Sequence, residues 1–245
     1  MNTQVKTEIN HYISSNIATI HKDMTMSLSS LKFNDLIKQN NPYYPKINNL
    51  TTAHAYVKSL VDDYLLLSEE KNFNGFLTQI VIFIASKLYN GKESAHEDID
   101  LEFTKDGTEF LIHIEPAPNL ITTSVIKKTI DSFRKAEGLK RLVSSNVPIR
   151  AVYGSFYGVD DQPDKGDYIR LCGKRFWEFI SGDPNFYIEI ITYLNDWSAM
   201  NDSEFFAEYS RLLNVFEAEF LKDFCPDGYI NWAKLVELNS GSNDL

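Results

Sequence analysis

The segment Ile99-Asp-Leu-Glu-Phe-Thr-Lys-Asp-Gly-Thr-Glu-Phe-Leu-Ile-His-Ile-Glu115 decides how the chain is read. Ile99–Phe103 alternates apolar and acidic residues, Lys105-Asp-Gly-Thr108 has turn composition, and Glu109–Glu115 forms a second run of strand composition. Asp-Gly between two such runs is a strong hairpin signal, because both residues tolerate positive φ. A two-residue turn sets Lys105 opposite Thr108, Asp100 opposite His113 and Asp98 opposite Glu115. Strand alternation then puts Asp98, Asp100 and Glu102 on one face with Leu111, His113 and Glu115. Ile99, Leu101, Phe103, Phe110, Ile112 and Ile114 take the other face, which is expected to be core.

The polar face carries four carboxylates and an imidazole. Like charges placed opposite each other cost about 0.2–1 kcal/mol per pair. A hard divalent cation held by carboxylate oxygens would offset that. A solvated face of an antiparallel strand has the same pattern, and spacing alone leaves both readings open. His113, taken by itself, suits a hydrogen-bonded structural role as well as it suits a ligand.

Outward from the hairpin, polar-rich sequence from Val5 to Leu36 predicts helix, and Gln39–Thr52, with two prolines and four asparagines, predicts a loop. Helical spacing returns through Ala53–Leu67 and Phe73–Leu88. After the break at Pro116-Ala-Pro118, Thr122–Lys135 is helical, and Pro148–Tyr157 and Asp167–Cys172 are strands. Four further helices are expected at Phe176–Ser181, Phe186–Leu194, Ser203–Lys222 and Tyr229–Leu238. Strands clustered centrally with helices around them predict an α+β fold (α/β/α-like) with a central mixed sheet. One domain is expected: an N-terminal helical part over residues 1–70, a core over 71–180 and C-terminal helices over 181–245.

The chain has 245 residues, 43% hydrophobic and 24% charged, so it is long enough for a substantial core. Its 34 acidic and 24 basic residues give a net charge of −10, so bulk charge cannot hold a polyanion and any nucleic-acid contact needs a local basic patch. The helix after the hairpin offers one: Lys127, Lys128, Arg134 and Lys135, with Lys140 and Arg141 beyond. Phosphate contact and a plain solvated helix face are equally consistent with it. Lys165–Arg170 with Lys174-Arg175 is a second basic stretch. Asn119 and Thr122-Thr123-Ser124 could meet phosphate at a helix start or serve only as caps. Phe176, Trp177 and Phe179 have core spacing. The two cysteines, Cys172 and Cys225, have no ligand spacing. No signal peptide and no bilayer-length apolar run is indicated, so a cytoplasmic protein without membrane attachment is expected.

An Asp on one strand, a short hairpin, an acidic-x-Lys triplet on the next strand and then a helix is the pattern of the PD-(D/E)xK nucleases. The sequence resembles one branch of them, type II restriction endonucleases of the PmeII/EcoO type, in Ile99–Phe103, Lys105–Gly107, Pro118-Asn119 and Ile126–Lys128. The likeness continues through Val152–Gly154, Gly166–Gly173, Phe176–Gly182 and Asp227–Leu235. It implies a restriction-endonuclease-like fold, a homodimer on near-palindromic double-stranded DNA, and Mg²⁺, or alternatively Mn²⁺, as cofactor. It further implies that Asp100 stands at the metal-binding Asp, His113 at the acidic position of the triplet, Glu115 at the Lys, and Gln79 at a helix Glu near the metal. Three of those four positions depart from the pattern. Glu115 cannot supply positive charge but can bind metal or act as base. His113 suits Mn²⁺, Zn²⁺ or Fe²⁺ better than Mg²⁺. His96, just ahead of Asp98, is a further candidate for the metal shell.

The resulting expectation is metal-dependent hydrolysis of duplex DNA, with Asp100, His113 and Glu115 as both catalytic and metal-holding residues and Asn119, Lys127, Lys128 and Arg134 on DNA. The alternatives are a family member that keeps the fold and DNA binding without cleaving, and a hydrolase of another phosphoester.

Overall fold

The computed structural model describes residues 1–116, 122–143, 147–194 and 203–240. Five strands form one sheet in the order β1 (Lys92–Glu93), β2 (Leu101–Lys105), β3 (Thr108–Ile114), β4 (Ile149–Ser155) and β5 (Ile169–Cys172). The first three are antiparallel, and β3, β4 and β5 run parallel, so the sheet is mixed as expected. The helices are α1 (Thr3–Ser30), α2 (Phe33–Gln39), α3 (Tyr43–Ile47), α4 (Ala53–Tyr89), α5 (Thr123–Val143), α6 (Lys174–Ser181), α7 (Phe186–Tyr193), α8 (Ser203–Phe224) and α9 (Trp232–Ser240).

The hairpin register is the predicted one: Lys105 pairs with Thr108 and Leu101 with Ile112. Asp106 and Gly107 both have positive φ, 51° and 76°, as a two-residue type I′ turn requires. Strand β1 is not among the expected elements and α5 runs on to Val143 rather than ending at Lys135; four other differences from the sequence reading have a local reason. The first helix stops at Ser30, where Ser29 and Ser30 donate their hydroxyls back to the carbonyls of Met26 and Ser27 and Lys32 turns extended. The Asn- and Pro-rich loop contains the short α3, entered through Asn41 Oδ1 accepting the Tyr43 N–H. The two helices expected on either side of residue 70 are one, because Ser68-Glu-Glu-Lys-Asn72 has no proline or glycine and is rich in helix formers. The last helix starts at Trp232 rather than Tyr229, with Asn231 Oδ1 capping the Lys234 N–H.

Two compact units result. One gathers Met1–Ile17 with the described residues of Asn74–Ala199, the other Ala18–Phe73 with the described residues of Met200–Leu245. The second is all-helical and closes around an aromatic core in which Tyr56 stacks on Phe220 at 4.7 Å and Phe33 lies 5.3 Å from Phe216.

The first unit holds the sheet between two helical layers. On one face Phe103 stacks on Tyr89 of α4 and lies 5.7 Å from Phe179 of α6. A Cβ at Gly154 of β4 would stand 2.2 Å from the Phe176 ring, so glycine is what lets α6 come this close. The opposite face is covered by α5: Leu111 and Tyr153 pack with Phe133 and Ala136 of that helix. Both faces are therefore partly core, a correction to the expectation of one apolar and one open acidic face. Ile99 also changes sides and joins the α5 cluster. Its N–H bonds the His96 carbonyl at 3.2 Å and Asp98 has φ 58°, so residues 96–99 form a turn and strand alternation does not extend back through them.

Candidate active site

Because Asp98 lies in that turn, it does not face Glu115 across the hairpin. Its Oδ1 accepts Lys128 Nζ at 2.9 Å and its Oδ2 accepts the Ser132 hydroxyl at 3.0 Å, both from α5. The Lys128 ammonium, aided by Ser132, holds the Asp98 carboxyl below the usual carboxylate range against a smaller opposing effect of burial. Glu102 is likewise committed. It is only 6% exposed, with Lys140 Nζ 2.7 Å from Oε2 and Lys92 Nζ 3.1 Å from Oε1, while Lys140 also reaches Glu109 at 2.5 Å. Burial pushes Glu102 upward, and the two lysines override it, leaving the group below its ordinary value.

Two of the four clustered carboxylates are thus anchors for α5: Asp98 near its start and Glu102 near its end. Ser132→Ala removes one hydrogen bond to a partly buried carboxylate, and the expected result is a loss of about 1 kcal/mol in thermal or urea unfolding. An unchanged stability would show that the Asp98 anchor carries nothing.

Asp100 is handled differently. Its N–H donates to the Ile112 carbonyl at 2.8 Å, and its Oδ2 accepts the Ile114 N–H at 2.6 Å. The same oxygen lies 3.4 Å from His113 Nδ1, close in charge terms, yet Nδ1 is buried without an aligned hydrogen bond. Glu115 follows immediately after β3 and is half-buried, its N–H donating to the Gly154 carbonyl at 2.8 Å. The hydroxyls of Tyr153 and Ser155, on neighbouring β4, are also buried without hydrogen-bond partners. Among the described residues, no group of three or more His, Cys, Asp or Glu side chains is set to hold a metal ion. The structure therefore brings Asp100 to His113 and places Glu115 just past the end of β3, but among the described residues closes no three-ligand cage.

Of the residues expected on DNA, Lys128 is paired with Asp98, Arg134 reaches Asp167 at 2.8 Å, and Lys127 is exposed on α5. Asn119 lies outside the described residues. Gln79 Nε2 donates to Glu93 Oε1 at 3.0 Å. His96 lines a cleft of about 480 Å³ with Glu97, Lys128, Ser132 and Lys135 rather than meeting Asp100.

The order helix, three antiparallel strands, helix, parallel strand, with Asp100 entering the second strand and His113-Ile-Glu115 ending the third, is that of the PD-(D/E)xK nucleases. The family of type II restriction endonuclease EcoO109I matches residues 7–202. The chain belongs to that family. It is a type II restriction endonuclease, and double-stranded DNA is its substrate. Enzymes of this kind generally act with divalent metal ions. Comparison with curated proteins gives no significant match. No helix among the described residues is long and apolar enough to cross a membrane.

The sequence reading did not single out Tyr153 or Ser155. Alternation marks which residues of β4 share a face, but only the parallel register with β3 shows that this face adjoins His113.

Proposed function

We propose that this endonuclease hydrolyses the DNA phosphodiester bond at Asp100, His113 and Glu115, with the two carboxylates holding a divalent cation and His113 acting as ligand or base. The observation carrying this is the meeting of Asp100 Oδ2 with His113 Nδ1 at 3.4 Å across the hairpin. Two carboxylates with an imidazole between them are a donor set that fits such an ion. When bound, the ion would polarise the scissile phosphate and acidify a water.

The residues of the chain do the rest. The Ile114 N–H fixes Asp100 through Oδ2, which leaves Oδ1 to face a ligand. Asp100 beside Nδ1 favours the proton on that nitrogen, so Nε2 presents the lone pair that takes a proton from water. Mg²⁺ is the proposed ion, with Mn²⁺ the better match to an imidazole donor. The enzyme acts as a homodimer in the cytoplasm, because a two-fold protein reads a two-fold site. No observation favours the non-cleaving alternative.

Incubating the purified protein with duplex DNA and Mg²⁺ or Mn²⁺ is expected to give discrete fragments; intact DNA with both ions would overturn the proposal. On α5, Lys127 is the proposed phosphate contact, whereas Lys128 and Arg134 reach DNA only by releasing Asp98 and Asp167. Lys127→Ala is then expected to weaken binding on all sequences alike and to reduce the slope of log affinity against log salt by about 1. An unaltered slope in a binding titration would remove Lys127 from the interface.

A further inference from the structure

The strand registers line up four side chains across the sheet. Asp100 lies opposite His113, His113 pairs with Tyr153, and Tyr153 pairs with Arg170 of β5. Cross-strand partners project to the same face, so carboxylate, imidazole, phenol and guanidinium form one row. The Tyr153 ring meets His113 edge-on, with centroids 5.0 Å apart at 67°. Its buried hydroxyl feels the charges of Glu115 and Arg170 in opposite senses: burial and the Glu115 carboxylate disfavour its ionisation, and the Arg170 guanidinium favours it. The register sets Arg170 beside that phenol on β5.

Arg170 is anchored through both its backbone and its side chain. Its N–H donates to the Pro163 carbonyl at 2.7 Å, and its Nε lies 3.7 Å from Asp160 Oδ2. A guanidinium fork can keep a carboxylate neighbour and still present donors to a phosphate.

We propose that Arg170 supplies the positive charge which Glu115, standing where the nuclease pattern has Lys, cannot give, and that it stabilises the phosphate in the transition state. This rests on the reading of Asp100, His113 and Glu115 as the cleavage site. In the step concerned, a water oxygen bonds to phosphorus as the ester bond to the departing sugar oxygen breaks. The water proton passes to His113, the departing oxygen takes a proton from solvent, and negative charge grows on the non-bridging oxygens. Arg170 meets that charge from the β5 side of the row.

The test uses the full chain in single-turnover cleavage with Mg²⁺ and with Mn²⁺, with DNA affinity measured in Ca²⁺. Arg170→Met is expected to cut the cleavage rate by about 100-fold, the usual loss for one transition-state donor, while affinity and melting temperature hold. Arg170→Lys, which keeps the charge, recovers a large part of that rate. Arg170→Gln, which is shorter but keeps an uncharged polar head, behaves like Arg170→Met and serves if the methionine variant does not fold. Cleavage at the wild-type rate in Arg170→Met or Arg170→Gln overturns the proposal, as does equal loss in Arg170→Lys and Arg170→Gln with a lowered melting temperature. Asp100→Asn, run in parallel, separates the two claims. If it cleaves normally, the site reading itself falls; if it is silent while Arg170→Met is active, only the role of Arg170 falls.

Discussion

Asp100→Asn is expected to lower the DNA cleavage rate by about 1,000-fold or more, equivalent to about 4 kcal/mol of transition-state stabilisation. The asparagine side chain has the same shape, and its carbonyl oxygen can still accept the Ile114 N–H that Asp100 Oδ2 accepts at 2.6 Å. The hairpin should therefore form as before, with an unchanged melting temperature and DNA affinity. What the substitution removes is negative charge at the carboxylate that meets His113, whereas the two acids on either side of Asp100 are committed to lysines. Asp98 is taken by Lys128, and Glu102 by Lys140 and Lys92. Asp98→Asn makes the contrast: it loosens an α5 anchor and is expected to leave the cleavage rate within about tenfold of wild type. Equal loss in both variants would mean that the two acids act as one cluster.

Lys140→Met is expected to destabilise the protein by about 2–3 kcal/mol in urea unfolding. Stripping the partner from a fully buried pair costs about 3–5 kcal/mol. Here Lys92 stays 3.1 Å from Glu102, which reduces the penalty. The pH dependence gives the sharper check. Glu102 sits below its ordinary value in the folded protein, so its contribution is present above the unfolded value near 4.3 and is lost as pH falls through the folded value. A protonated Glu102 has no charge to neutralise. The stability gap between wild type and Lys140→Met should accordingly be largest at neutral pH and close in acid. A gap that is constant with pH would assign the loss to the packed lysine stem instead of the ion pair.

The same network explains how much of the site could be read along the chain. Ile99–Glu115 carried its register in the Asp106-Gly107 turn, and the structure keeps that register from Lys105–Thr108 to Leu101–Ile112. Asp100 therefore meets His113 as the turn geometry dictates. The same reasoning placed Asp98 and Glu102 on the acidic face beside Asp100, with nothing to neutralise them. Their partners, Lys128 and Lys140, are 30 and 38 positions further along the chain, and nothing local shows that α5 will lie on this face of the sheet. The basic helix expected to face DNA spends much of its charge on the sheet: Lys128 and Lys140 serve as anchors, and Lys127 stays exposed.

Local sequence determined the hairpin, its register and the meeting of Asp100 with His113, because turn geometry and period-two alternation act over a few residues and need no distant partner. Tertiary structure decided that Asp98 and Glu102 are paired with lysines, since that depends on where α5 lands. It also decided that Tyr153 and Arg170 stand in line with His113, because parallel strands are brought together only when intervening helices close the sheet, and no spacing within β4 or β5 encodes which neighbour they will have.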